Sequence, residues 1–154
     1  MNEDEQYESW KANYVNFIEK YKNIDLREVE SFEQLKEQIK YLFSNYSKSS
    51  STMFSDLTEN LIKSMLNVIG KNKSDVINDC VKIALKKNKD YGSSNILDFG
   101  KIGLLVRLND KISRIINLEK NKNRQVLDET IVDTAEDIIN YAVYLEMLSK
   151  NVWF

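Results

Sequence analysis

No proline occurs anywhere in the 154 residues, and only four are glycine. Proline removes a helical hydrogen bond and glycine loosens the backbone, so a chain nearly free of both can stay helical over long stretches. The apolar spacing agrees. Tyr7, Trp10, Tyr14, Phe17, Ile18 and Tyr21 recur every three or four residues and predict a first helix from about Glu5 to Tyr21. Asp25 to Glu28 and Ser31 to Gln34 both have capping-box form. From Ser31 a second stripe runs through Phe32, Leu35, Ile39, Leu42 and Phe43. The serine-rich stretch 44–52 is the clearest break. It suggests an N-terminal helical extension over 1–52 and a core over 53–154, with one continuous domain as the alternative.

Asp56 to Glu59 begins a third helix that carries Leu57, Leu61, Ile62, Met65, Leu66 and Ile69 and closes at Gly70. Ser74 caps a fourth, through Ile77, Cys80, Val81, Ala84 and Leu85 to the basic end Lys86 and Lys87. Asp90-Tyr91-Gly92-Ser93-Ser94 is loop by composition. A fifth helix spans about Ile96 to Leu118, with an interruption near Gly100 to Gly103. A solvated basic turn from Lys120 to Arg124 follows, and Asp128 with Glu129 opens a sixth helix running to about Lys150. No stretch alternates apolar and polar long enough to argue a strand. The expectation is an all-α bundle of five to six helices.

What is missing narrows the chemistry. Histidine is absent, which removes Ser-His-Asp and Cys-His machinery and histidine-based zinc sites. The single cysteine, Cys80, sits among apolar neighbours and is expected as a buried filler. Acid-base or metal chemistry must then come from carboxylates, lysines or tyrosines. A net charge of −2 offers no field to hold a long nucleic acid, whereas a small anion needs only two or three well-placed cations. No apolar run approaches the ~20 residues that span a bilayer. The acidic, polar start from Met1 to Glu5 is unlike a signal peptide, so the expected location is cytoplasmic. Richness in Lys, Asn and Ile points to an AT-rich bacterial or phage genome.

Two helices carry the candidate site. On the fifth, Leu105, Leu108, Ile112, Ile115 and Ile116 share one side while Arg107, Asp110, Lys111 and Arg114 share the other. The plainer account of that polar side is a solvated face with weak ion pairs. On the sixth, Ile131, Ala135, Ile138, Ala142 and Leu145 form an apolar stripe, widened by Val132, Ile139 and Val143. Glu129, Asp133, Asp137, Asn140 and Tyr144 line up opposite it, flanked by Tyr141, Met147 and Leu148. A helix apolar around so much of its girth is usually buried, and carboxylates on a buried helix need a cation or donor. Asp133 and Asp137, one turn apart, could share Mg²⁺ while Arg107, Lys111 and Arg114 hold phosphates. An ordinary wet face with an acidic first turn fits the periodicity equally well.

Three pieces taken together resemble a known family. They are Lys87-Asn88-Lys89-Asp90-Tyr91-Gly92, the run Leu105 to Ile115 with its RxxDKxxR pattern, and Asp128 to Ala142 with DTxxDxxNY. In this order and spacing, about Ser74 to Leu148, they resemble the nucleotide-modification-associated helical domain, which looks like a branch of the MazG-like all-α nucleoside triphosphate pyrophosphohydrolases. The resemblance implies a bundle whose acidic residues hold Mg²⁺ against a nucleotide's phosphates. Asp133 and Asp137 would be metal ligands, and Asp110 and Glu129 further ligands or the base that orients water. Arg107, Lys111 and Arg114 would neutralise phosphate, Tyr91 and Asn140 would contact sugar or base, and Lys87, Asp90 and Tyr144 complete the binding set. One departure stands out. The pyrophosphohydrolase pattern has Glu-x-x-Glu on one helix and Glu-x-x-Asp on a later one, where this chain has Asp110 and Asp133-x-x-x-Asp137. The literal Glu30-Ser-Phe-Glu33 lies outside the resembling region.

Three functions follow as expectations. The first is Mg²⁺-dependent pyrophosphohydrolysis of nucleoside triphosphates or related nucleotides, in a homo-oligomer. The second uses the same pocket to bind a nucleotide without cutting it, as a sensor or a phage-encoded sponge. The third is a helical interaction module that docks a partner through the aromatic first helix and the tail Val152-Trp153-Phe154.

Overall fold

The computed structural model describes residues 1–121 and 129–154. Six helices make an all-α bundle: α1 (Glu3–Glu19), α2 (Phe32–Ser44), α3 (Ser51–Ile69), α4 (Lys73–Tyr91), α5 (Gly100–Lys120) and α6 (Glu129–Ser149). Short 3-10 turns follow α1 and α2 and precede α5. No strand occurs among the described residues. The expected turn through Arg124 and the opening position Asp128 fall largely within 122–128 and lie outside them.

Helix ends follow local chemistry, with four corrections to the expected bounds, the first at α4, where the Asn72 side chain caps the Asp75 amide and leaves Ser74 inside the helix. Ser31 and Gln34 do form a reciprocal capping box, at 3.1 and 2.8 Å. Asp25 does not start a helix. Its carboxylate instead accepts from the Arg27 backbone and side chain and closes a local turn. α3 begins at Ser51, earlier than Asp56, because the Ser50 hydroxyl caps the Met53 amide and leaves Asp56 inside the helix. α4 runs on through Asp90 and Tyr91, which composition places in a loop. Nothing in Lys86 to Tyr91 breaks a helix. The stop comes at Gly92, whose φ of +85° suits a residue without a Cβ. The interruption expected near Gly100 is real, since a 3-10 turn over Asn95–Asp98 ends just before Gly100, which at φ +58° opens α5.

α6 is the central element, packed against α1, α3, α4 and α5. One hydrophobic core draws on all six helices and on Trp153 of the tail. Trp10 stacks on Tyr14 at 5.1 Å between ring centres, and both contact Tyr144 of α6. The aromatic rings of α1 and the tail are therefore engaged inside the chain, with Trp10 1% and Trp153 7% exposed. Among the described residues no helix is long and apolar enough to cross a membrane.

Candidate functional site

The polar row on α6 passes from water into the core. Glu129 and Asp133 are exposed, Asp137 is largely covered with 17% of its side chain accessible, and Asn140 and Tyr144 are buried. This grading follows from geometry. Lys87 of α4 and Lys111 of α5 reach Asp137, while Tyr14 and Trp10 of α1 meet Asn140 and Tyr144.

Asp137 is where the three helices meet electrostatically. Its Oδ1 takes Lys87 Nζ of α4 at 2.8 Å, and its Oδ2 takes Lys111 Nζ of α5 at 3.1 Å. Burial alone would pull the Lys87 ammonium down, but the hydrogen bond and charge of Asp137 outweigh it and hold the pKa above the ordinary lysine value. Arg107 lies over the Tyr141 ring at 5.9 Å, within cation–π range. Beneath them Asn140 is locked in place. Its Oδ1 accepts from Tyr14 Oη at 2.6 Å, and its Nδ2 donates to the Cys80 carbonyl at 3.0 Å. The Cys80 thiol is pushed up by burial and by nearby carboxylates, as an inert core sulfur would be.

These groups surround a pocket of about 310 Å³. That is at the lower end of the roughly 300–1,000 Å³ usual for small-molecule sites. Its mouth is polar, with Lys87, Asn88 and Tyr91 from the last turns of α4, Asn95 beyond Gly92, Arg107 from α5, and Asp137 from α6. Its floor is aromatic, with Trp10, Tyr144 and Trp153. The Tyr144 hydroxyl is pushed up by burial first and then by the neighbouring Tyr141 and Asp137, so it stays protonated as a neutral donor.

Of the residues singled out from sequence, Lys87, Tyr91, Arg107, Asp137, Asn140 and Tyr144 line this pocket, and Lys111 reaches it through Asp137. Asp90, Asp110, Arg114, Glu129 and Asp133 are outside its lining. Among the described residues no ion pair joins Asp110 to Arg107 or Arg114. Nor do three or more acidic or thiol groups converge as a metal cage there. Both oxygens of Asp137 face ammonium groups. The arrangement therefore fits an incoming anion better than a dication, and Asn140 serves as a strut more than a contact. Sequence reasoning misses Trp10, Asn88, Tyr141 and Trp153 as site residues. Tyr141 carries a usable signal as the flank of the polar row, whereas Trp10 and Trp153 reach the pocket only through tertiary folding.

A fourth carboxylate lies nearby on a different face. Glu136 is 6% exposed, and burial, then Asp79, Asp133 and Asp137, raise its pKa to about 7.

No curated protein and no solved structure matches the chain. Every lining residue of the pocket except Trp10 and Trp153 falls in one stretch, and that stretch, residues 87–147, matches the family model described as nucleotide modification associated domain 1.

Proposed function

We propose that the pocket between α1, α4, α5 and α6 binds a nucleotide or a related nucleoside phosphate. One observation carries this reading: Lys87 and Arg107 at the mouth, with Lys111 behind Asp137, stand over an aromatic floor in a single small pocket. Cations at the mouth suit phosphate oxygens, and stacked rings suit a base. The similarity of residues 87–147 to a nucleotide-associated domain supports it. Binding is favoured over Mg²⁺-dependent cleavage because Asp137 is neutralised by two lysines and Asp133 stands apart in solvent. The hydrolytic alternative, a relative of the MazG-like pyrophosphohydrolases, would need Asp133 and Asp137 to hold Mg²⁺ between them.

The test is thermal melting against a panel of nucleoside mono-, di- and triphosphates, with and without Mg²⁺, followed by heat release and analysis of the ligand. A fitting ligand at a hundredfold excess over its Kd should raise Tm by about 5–10 °C, and it should be recovered intact. Mg²⁺-dependent recovery of pyrophosphate with nucleoside monophosphate would replace binding by hydrolysis. A flat panel would remove both.

A further inference from the structure

The positive charge of the pocket is small and confined to its mouth. Lys87 and Lys111 share the single carboxylate of Asp137. Arg107 lies over the Tyr141 ring and has no carboxylate partner among the described residues. No further lysine or arginine lines the pocket. Three cations against one carboxylate leave two positive charges there. A phosphate monoester carries roughly −1.5 to −2 at neutral pH, which matches them. Just beyond the mouth the balance reverses. Asp90 lies three residues past Lys87 on α4, Asp110 three past Arg107 on α5, and Asp133 four before Asp137 on α6. Helical neighbours at those spacings stand about 5–6 Å apart at Cβ. All three aspartates are exposed, none lines the pocket, and none is in an ion pair among the described residues. Each of the three helices thus sets an uncompensated carboxylate beside the charge it gives to the site. A cavity of about 310 Å³ leaves a longer polyphosphate to extend toward that rim.

We propose that the ligand class of this pocket is the nucleoside monophosphate, selected over di- and triphosphates by the rim carboxylates Asp90, Asp110 and Asp133. This rests on the nucleotide reading above and deepens it. The phosphomonoester sits between Lys87 and Arg107, with Lys111 behind Asp137, and its charge cancels that of the mouth. Each added phosphate carries negative charge past those cations and up to the three aspartates, where it meets repulsion and no new partner. One exposed charge pair changes affinity by only about two- to fivefold, so three acting together give a selectivity of about tenfold.

The full chain is titrated by calorimetry with the mono-, di- and triphosphates of the four ribonucleosides, with ribose 5-phosphate and with inorganic phosphate. Each titration is run with a chelator and again with Mg²⁺. With the chelator, the monophosphate of the preferred nucleoside should bind about tenfold tighter than its triphosphate. Asp90→Asn, Asp110→Asn and Asp133→Asn combined in one chain should close most of that gap, tightening the triphosphate several-fold and the monophosphate much less. Asp133→Asn alone supplies a smaller change of the same sign if the triple variant does not fold. A triphosphate as tight as the monophosphate under chelation, or equal gains for both in the folded variants, overturns the rim while leaving nucleotide binding standing. A triphosphate preference that appears only with Mg²⁺ makes the aspartates metal ligands and overturns it too. Ribose 5-phosphate or inorganic phosphate binding as tightly as the monophosphate removes the nucleoside from both readings. Absence of any binding by the unaltered chain removes this proposal together with the nucleotide reading.

Discussion

α6 carries two nearly buried glutamates ten positions apart, and the bundle treats them in opposite ways. Near the C-terminal end, Glu146 is 2% exposed and fully engaged. Tyr21 Oη donates to it at 3.0 Å, Lys20 pairs with it at 2.9 Å, and Lys150 lies at 3.9 Å. In the middle, Glu136 is almost as buried but faces Asp79, Asp133 and Asp137, with Lys71 the cation that eases it. Charge and burial alone do not separate these two positions. The partners brought to each do: Lys20 and Tyr21 of the 3-10 turn after α1 for Glu146, and Asp79 of α4 for Glu136. The lower end of the helix is tied down, and the middle, beside the pocket, retains electrostatic strain of the kind that functional sites keep.

Glu146→Ala should have the largest effect on stability. Losing a charge-assisted hydrogen bond and leaving the Tyr21 hydroxyl unmet costs about 2–3 kcal/mol, read from the urea midpoint at constant m-value. A loss below about 0.5 kcal/mol would erase the contrast with Glu136. Glu136→Gln should act in the other direction and depend on pH. The folded pKa of about 7 lies above the ordinary 4.5, so the folded state holds the proton longer than the unfolded chain. Stability therefore falls as pH rises from 4.5 to 7, and the full penalty applies above that. Glutamine should raise stability on the order of 1–2 kcal/mol at about pH 8 and have little effect below pH 4.5, as melting curves across that range would reveal. Asp137→Asn should be the mildest for folding, under about 1 kcal/mol, since Lys87 and Lys111 are both partly solvated. Its effect on ligands is the sharper readout. Freeing two ammonium groups should tighten tripolyphosphate binding several-fold with a steeper salt dependence, whereas a metal-ligand role for Asp137 would make the same change abolish binding.

The all-α class and most helix bounds were legible because they rest on local rules: no proline, three-to-four spacing, Ser31 with Gln34, and Gly70 as a stop. The misjudged bounds were local too, but turned on competition. Asp25 found a nearer partner in Arg27 than a helix amide, and Ser50 reached Met53 before Asp56 could act as a cap. The site was half legible. Lys87, Arg107 and Asp137 share short motifs, and their spacing survives folding. Which of the α6 acids turn inward did not follow from spacing, because Asp133 and Asp137 are separated by one turn, yet Asp133 is exposed and Asp137 takes lysines from both α4 and α5. Trp10 and Trp153 come from opposite ends of the chain, and no periodicity connects them.

Asn140 has one consequence for any substitution at its position. Its amide takes a hydrogen from Tyr14 on α1 and gives one to the Cys80 carbonyl on α4. The group thus has a polarity, oxygen toward one neighbour and nitrogen toward the other, and works like a keyed plug that seats only one way round. Aspartate keeps the shape but presents oxygen to an oxygen, and leucine keeps the volume but answers neither side. Helices joined through such a key are held in register by direction as well as by fit.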